Sequence, residues 1–211
     1  MANALESISV PPKTEEIAKG LIVILHGWGA NAEDVASILP FLQLPEYHFV
    51  FPNAPFPDPD SPIGRAWYDL SRNNMYKGLE ESRKLLIDYL QSLENSTGIP
   101  LNKTILSGFS QGGAMTLDVG LKLPIAGLIS MGGYLHSDIQ NIETPATNYL
   151  PPVLIMHGKQ DQVVPLQAAQ KTRDALELRA VPLEYREFDG GHQISSQMLD
   201  VARTFVLSNL T

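Results

Sequence analysis

Six short apolar runs recur along the chain without the polar alternation of a half-exposed strand. They are Leu21–Leu25, His48–Phe51, Thr104–Leu106, Ile125–Ser130, Val153–Met156 and Leu183–Phe188. Unbroken runs of this length are typical of strands that are buried on both faces of a sheet. Between the runs lie stretches that read as helices: Ala32–Leu42, Lys77–Leu93, Gln111–Leu121, Leu166–Leu178 and Ile194–Leu207.

This alternation of strand and helix predicts an α/β fold. Right-handed crossovers would give a mostly parallel central sheet with helices on both faces. The densest proline cluster, Pro52–Pro62, predicts a long loop. Because 211 residues fit one α/β unit and no repeat or Ser/Gly-rich linker divides the chain, we expect a single domain, residues 1–211.

The composition of the chain limits the classes of partner that it can be expected to bind. A formal net charge of -8 and the lack of a Lys/Arg cluster argue against nucleic acid or an anionic membrane surface. The absence of cysteine excludes disulfides, thiolate metal sites and cysteine nucleophiles. Residues 1–20 lack a signal-peptide pattern and no later stretch has the length of an integral membrane segment, so we expect a cytoplasmic protein. A homodimer is left open.

The residues that follow the predicted strands carry the chemistry. Gly108-Phe109-Ser110-Gln111-Gly112 places a serine between two glycines where a strand turns into a helix, which is the pattern of a nucleophile elbow. The flanking glycines relieve crowding around the strained serine. By itself the motif also fits an ordinary turn, so the rest of the chain has to decide between the two interpretations.

Two later strands are followed by candidates for an acid and a base. Asp161 comes after the fifth run and His192 after the sixth, and the order Ser110, Asp161, His192 is that of an α/β-hydrolase. A serine hydroxyl needs an imidazole to accept its proton, and the imidazole needs a carboxylate on its other nitrogen. Asp138 and Asp189 are the alternatives for the acid. The other histidines lack this pattern of partners.

The segment His26-Gly27-Trp28-Gly29 follows the first strand, where hydrolases place a second donor for an oxyanion. We assign the two donors of the oxyanion hole to the backbone N–H groups of Trp28 and Gln111, with His26 in a structural role. A glycine turn leading into a helix capped by Asn31 is an alternative that is compatible with this one.

Several motifs in this order resemble the phospholipase/carboxylesterase family: Leu25–Gly29, Pro52–Pro55, Trp67–Asp69, Gly108–Gly113, His157–Gly158 with Asp161 and Val164–Pro165, and Gly191–His192. The resemblance implies an α/β-hydrolase with Ser110, Asp161 and His192 as its catalytic triad. It also implies substrate-binding positions at Tyr134, Val163 and Trp67, for which plain core packing is an equal alternative. The short, polar segment Gln140–Pro152 predicts a minimal cap domain or none.

These features predict a serine hydrolase that cleaves carboxylic esters through an acyl-enzyme on Ser110, without a metal or an organic cofactor. Thioesters and lysophospholipids present a similar carbonyl, so the expected substrate is a small-molecule or lipid-like acyl ester. The alternatives are a peptidase or another serine hydrolase on the same scaffold, and a non-catalytic homologue that binds a ligand. The natural acyl donor is not fixed by the sequence.

Overall fold

A computed structural model describes residues 5–14, 17–136 and 149–210, and its main feature is a seven-stranded sheet. The strands are β1 (Ser7–Val10), β2 (Leu21–Leu25), β3 (His48–Pro52), β6 (Thr104–Phe109), β7 (Gly127–Met131), β8 (Val153–Gly158) and β9 (Leu183–Phe188), and a separate hairpin joins β4 (Phe56–Pro57) to β5 (Arg65–Ala66). The order in the sheet is β1-β3-β2-β6-β7-β8-β9. Every neighbouring pair is parallel except β1 with β3.

Helices cover both faces of the sheet. They are α1 (Ala32–Ala36), α2 (Leu39–Leu42), α3 (Leu79–Thr97), α4 (Gln111–Gly120), α5 (Leu166–Glu177) and α6 (Ser196–Asn209), with a 3-10 turn at Leu101–Lys103. Alternate strand residues face opposite cores, so Val23 and Leu25 pack with α3, α4 and α5, whereas Ile22 and Ile24 pack with α1, α2 and α6. The predicted mostly parallel α/β architecture is confirmed.

The parallel register places the carboxyl ends of β2, β6, β7, β8 and β9 along one edge of the sheet. In the pairing of β2 with β6, Leu25 lies opposite Gly108, and Phe109 at the end of β6 lies opposite Met131. Residues that follow these strands therefore meet at this edge although they are distant in sequence.

Some local predictions were wrong. The expected helix Ala32–Leu42 is broken into α1 and α2, because Pro40 has no N–H to continue the helical hydrogen bonds. Strand β1 was not predicted, and the expected loop Pro52–Pro62 contains strand β4. Both β6 and β8 extend further than their apolar runs. The predicted lack of a cap concerns Gln140–Pro152, of which only residues 149–152 are described.

None of the helices in the described ranges combines the length and the apolar composition that a membrane crossing would require.

Candidate active site

Ser110 lies at the sharp turn between β6 and α4. Its backbone has φ 55° and ψ -118°, a strained conformation for a residue with a side chain, and its N–H donates to the Met131 carbonyl at 2.8 Å. A Cβ at Gly108 would lie 2.3 Å from the Gly112 oxygen, and one at Gly112 would lie 2.4 Å from the Leu25 oxygen. Only glycine fits at these two positions, so the turn is built to hold the serine in this conformation.

The imidazole of His192 joins the serine to a carboxylate. Its Nε2 lies 2.9 Å from Ser110 Oγ, and its Nδ1 lies 2.6 Å from Asp161 Oδ2. The Phe109 ring packs against the imidazole with ring centroids 4.7 Å apart. A Cβ at Gly132 would lie 3.3 Å from both rings, so the glycine leaves space for them. The structure therefore brings together the three residues that the sequence singled out, and it does so through loops after three different strands.

Asp161 is held in place from several directions. Its Oδ1 accepts hydrogen bonds from the N–H groups of Val163 at 2.9 Å and Val164 at 2.8 Å, and its side chain is only 1% exposed. Burial works to raise its pKa, but the hydrogen bonds from His192 and Val164 stabilise the charge and hold the pKa below its usual value. The carboxylate is therefore ionised at neutral pH and oriented towards the imidazole.

One alternative for the acid, Asp189, is placed elsewhere. The carboxylate of Asp189 is 85% exposed and pairs with Lys159 Nζ at 2.9 Å instead of with His192. Asp138 lies outside the described residues.

The segment after β2 is anchored through a buried histidine. His26 Nδ1 donates to the Gly27 carbonyl at 2.7 Å, and its Nε2 accepts from the Ala54 N–H at 3.0 Å. Burial lowers the pKa of His26, so the ring is neutral and this single tautomer satisfies both nitrogens. The indole N–H of Trp67 donates to the His26 carbonyl at 3.0 Å, which fixes the loop that carries Trp28.

Gln111 begins α4 directly after the serine. Its side chain accepts from the Trp67 N–H and donates to the Tyr68 carbonyl, both at 2.8 Å, so it ties the elbow to the loop after β5. The structure gives no acceptor among the described residues to the backbone N–H of Trp28 or to that of Gln111. The Gln111 N–H is one of the unpaired donors at a helix start, where the helix dipole favours negative charge.

The three candidate substrate-binding residues lie in different environments. Trp67 is fully buried, which corresponds to the core-packing alternative for its side chain. Val163 is 68% exposed on the loop of Asp161. The hydroxyl of Tyr134 lies 2.8 Å from that of Tyr68, and burial raises the pKa of Tyr134 to about 12, so it is a neutral hydrogen-bonding group.

A second Asp–His pair lies beside Tyr134. Asp118 Oδ2 lies 3.2 Å from His136 Nδ1 and 2.5 Å from Arg83 Nε. Burial works to raise the pKa of Asp118, but the neighbouring His136 and the hydrogen bond from Arg83 hold it below its usual value. Three aromatic rings pack around His136: Tyr68, Tyr76 and Tyr134. This cluster was not predicted, because its members come from four separate segments and no motif links them.

Two other residues that support the site had no predicted role there. Gln160 donates its N–H to the Gly190 carbonyl at 2.9 Å and accepts the Gly190 N–H with its side chain, which ties the acid loop to the base loop. His157 at the end of β8 lies behind Asp161. The sequence places His157 in a motif of the family resemblance, four residues before the candidate acid, and sets it aside only as the base. Within the described ranges, no three His, Asp or Glu side chains form a group that could hold a metal ion.

The strand order, the elbow and the Ser–His–Asp arrangement define an α/β-hydrolase. The model of the phospholipase/carboxylesterase family matches residues 7–210. The chain is 30% identical to acyl-protein thioesterase 1 of Neurospora crassa, over 90% of this chain and 86% of that protein. It is 31% identical to acyl-protein thioesterase 1 of Eremothecium gossypii, over 92% and 89%. The chain therefore belongs to the phospholipase/carboxylesterase family.

Solved structures agree with this assignment. The esterase PE8 superposes with a TM-score of 0.86 at 30% identity, covering 98% of this chain and 99% of that one. Acyl-protein thioesterase 2 of Zea mays has a TM-score of 0.78 at 24% identity, with coverage of 98% and 99%, and this likeness shows the fold. The chain is a hydrolase that acts on acyl esters.

Proposed function

We propose that Ser110 is the nucleophile of this hydrolase, with His192 as general base and Asp161 as the acid that orients it. The observation that carries the proposal is the position of the His192 ring, 2.9 Å from Ser110 Oγ and 2.6 Å from Asp161 Oδ2. An ionised carboxylate on Nδ1 keeps the proton there, which leaves Nε2 free to accept the serine proton. The same carboxylate stabilises the imidazolium that this transfer creates.

The reaction proceeds in two acyl transfers. Ser110 Oγ attacks the carbonyl carbon of the substrate while its proton passes to His192 Nε2, and the carbonyl oxygen takes up the negative charge. The backbone N–H groups of Trp28 and Gln111 stabilise this oxyanion. As the bond to the leaving group breaks, His192 returns the proton to that group. A water molecule then attacks the acyl-enzyme by the same steps, which releases the carboxylic acid product and regenerates free Ser110.

The substrate class that we propose is an acyl ester or thioester. Two relatives are named acyl-protein thioesterase 1, which motivates testing a thioester leaving group. Tyr134 and Val163 are proposed to contact the substrate near the acyl group. A cytoplasmic location is also proposed, from the sequence alone. A series of aryl esters of increasing acyl length, measured beside an acyl-thioester peptide and a lysophospholipid, will define the preferred acyl donor.

Covalent labelling tests the nucleophile directly. A fluorophosphonate probe should modify the wild-type protein at one residue and leave Ser110→Ala unlabelled, because only an activated serine attacks the probe at a useful rate. Ser208→Ala, on the exposed face of α6, is the matched control and should be labelled like the wild type. Equal labelling of Ser110→Ala and the wild type would overturn the proposal.

A further inference from the structure

His157 occupies the end of β8, four residues before Asp161, and its side chain is completely buried. Its Nε2 lies 2.8 Å from the Val164 carbonyl oxygen and 3.4 Å from Asp161 Oδ2. His192 Nδ1 lies 2.6 Å from the same oxygen, Asp161 Oδ2. Two imidazoles therefore approach the same carboxylate oxygen, and of these two it is His192 that bonds to the serine hydroxyl.

The contacts of His157 show which ring nitrogen donates. A carbonyl oxygen can only accept, so Nε2 has to carry the proton that it shares with Val164. Nδ1 is then a bare acceptor, and it has no hydrogen-bond partner among the described residues. A protonated Nδ1 would leave an N–H buried without an acceptor, which costs free energy. His157 therefore donates through Nε2, with this N–H edge turned towards the acid.

This donor closes a small network around the acid. Val164 gives its N–H to Asp161 Oδ1 and its carbonyl to His157, so the turn from Asp161 to Val164 is held at both of its polar groups. The bond to His157 fixes the height of that turn relative to β8. It thereby fixes the rotamer in which Asp161 Oδ2 meets His192.

We propose that His157 is a positioning residue for the acid, which holds the Val164 carbonyl and presents its N–H edge to Asp161 Oδ2. The inference rests on the proposed function, since it assumes that the Asp161–His192 contact serves acyl transfer. A displacement of about 1 Å in a group of this kind can lower a rate by about 10²-fold. If His157 served only core packing, its substitution would lower stability and leave the rate of the folded enzyme unchanged.

Two substitutions separate these roles. His157→Leu fills similar space without a donor, whereas His157→Gln can place an amide N–H near the position of Nε2. We expect His157→Leu to lower kcat for an aryl ester about tenfold or more, with KM within about twofold of the wild type. We expect His157→Gln to recover kcat to within about threefold. His48→Leu is the control, since the His48 ring bonds to Ser9 at the other side of the sheet and kcat should not change.

Melting temperatures, measured for every variant, define the fraction that is folded in each assay. The proposal is overturned if folded His157→Leu keeps the wild-type kcat, or if His157→Gln loses as much kcat as His157→Leu. Fluorophosphonate labelling of the same proteins distinguishes the two levels of the account. If Ser110→Ala is labelled like the wild type, the proposed function is wrong. If Ser110→Ala is not labelled but His157→Leu is labelled at the wild-type rate, the proposed function stands and only the role of His157 is wrong.

Discussion

Two buried Asp–His contacts in the described part of the chain, Asp161–His192 and Asp118–His136, look alike in isolation but differ in their third partner. In one, Asp161 contacts His192, which also reaches Ser110 and is 15% exposed. In the other, Asp118 contacts His136, which is 5% exposed, and the third group is Arg83. In both pairs hydrogen bonds hold the pKa of the aspartate below its usual value although burial opposes this.

The difference indicates that the surroundings of an Asp–His contact decide whether it can serve the catalysis that we propose for Ser110. Asp161 and His192 follow two parallel strands that end at the same edge of the sheet as the elbow of Ser110. Asp118 lies within α4, and its charge is balanced by the Arg83 guanidinium. The structure shows no serine hydroxyl bonded to His136 within the described part of the chain, and aromatic rings surround it instead. The second pair is suited to stability.

The largest expected difference between the pairs is in activity. Asp161→Asn should lower kcat about 10⁴-fold, because an amide at this place favours the wrong tautomer of His192. Asp118→Asn should leave kcat of the folded protein within about threefold. Steady-state hydrolysis of an aryl ester, corrected for the folded fraction, measures both. Comparable losses of kcat in the two variants would break the distinction.

The smaller expected effect is in stability, and here it is the substitution of Asp118 that has the marked effect. Asp118→Asn leaves the half-buried Arg83 without its main carboxylate and should lower the free energy of unfolding by about 2–3 kcal/mol at neutral pH. Because the pKa of Asp118 is lowered by folding, its contribution is complete above the ordinary value of 3.8 and is lost as the pH falls through the folded pKa. The difference in the free energy of unfolding between the wild type and Asp118→Asn should therefore become smaller at acidic pH.

Urea unfolding at pH 7 and at pH 3 provides this measurement. Asp88→Asn removes an exposed partner of Lys84 on α3 and serves as the control, with an expected change below about 1 kcal/mol. A difference for Asp118→Asn that is unchanged or larger at pH 3 would show that the charge of Asp118 is not the stabilising feature.

The sequence predicts the first pair and misses the second for a physical reason. Ser110, Asp161 and His192 each follow a buried strand, and parallel strands bring such residues together whatever the loops contain. The contact of Asp118 with His136 depends on how α4 packs against the segment after β7, which no local pattern encodes. His157 was named in a family motif, but its place behind Asp161 was not predicted, because the apolar run ends at Met156 and β8 continues through this buried histidine.

The edges of the fold were also hard to predict. The sequence of β1 is Ser-Ile-Ser-Val, a short alternating segment. Its antiparallel partner β3 begins at His48, 38 residues after β1 ends at Val10. A pattern of four residues with a distant partner carries little signal. The central strands were recognisable because burial on both faces requires an unbroken apolar run.

The central claim is that the acyl group passes through Ser110. The most direct measurement mixes the enzyme with an acyl thioester, quenches in acid within milliseconds and maps the modified peptide by mass spectrometry. We expect one acyl adduct, located on Ser110, that appears before product accumulates and is absent from Ser110→Ala. Turnover by Ser110→Ala at the wild-type rate, or an adduct on another residue that forms and decays at the rate of turnover, would contradict it.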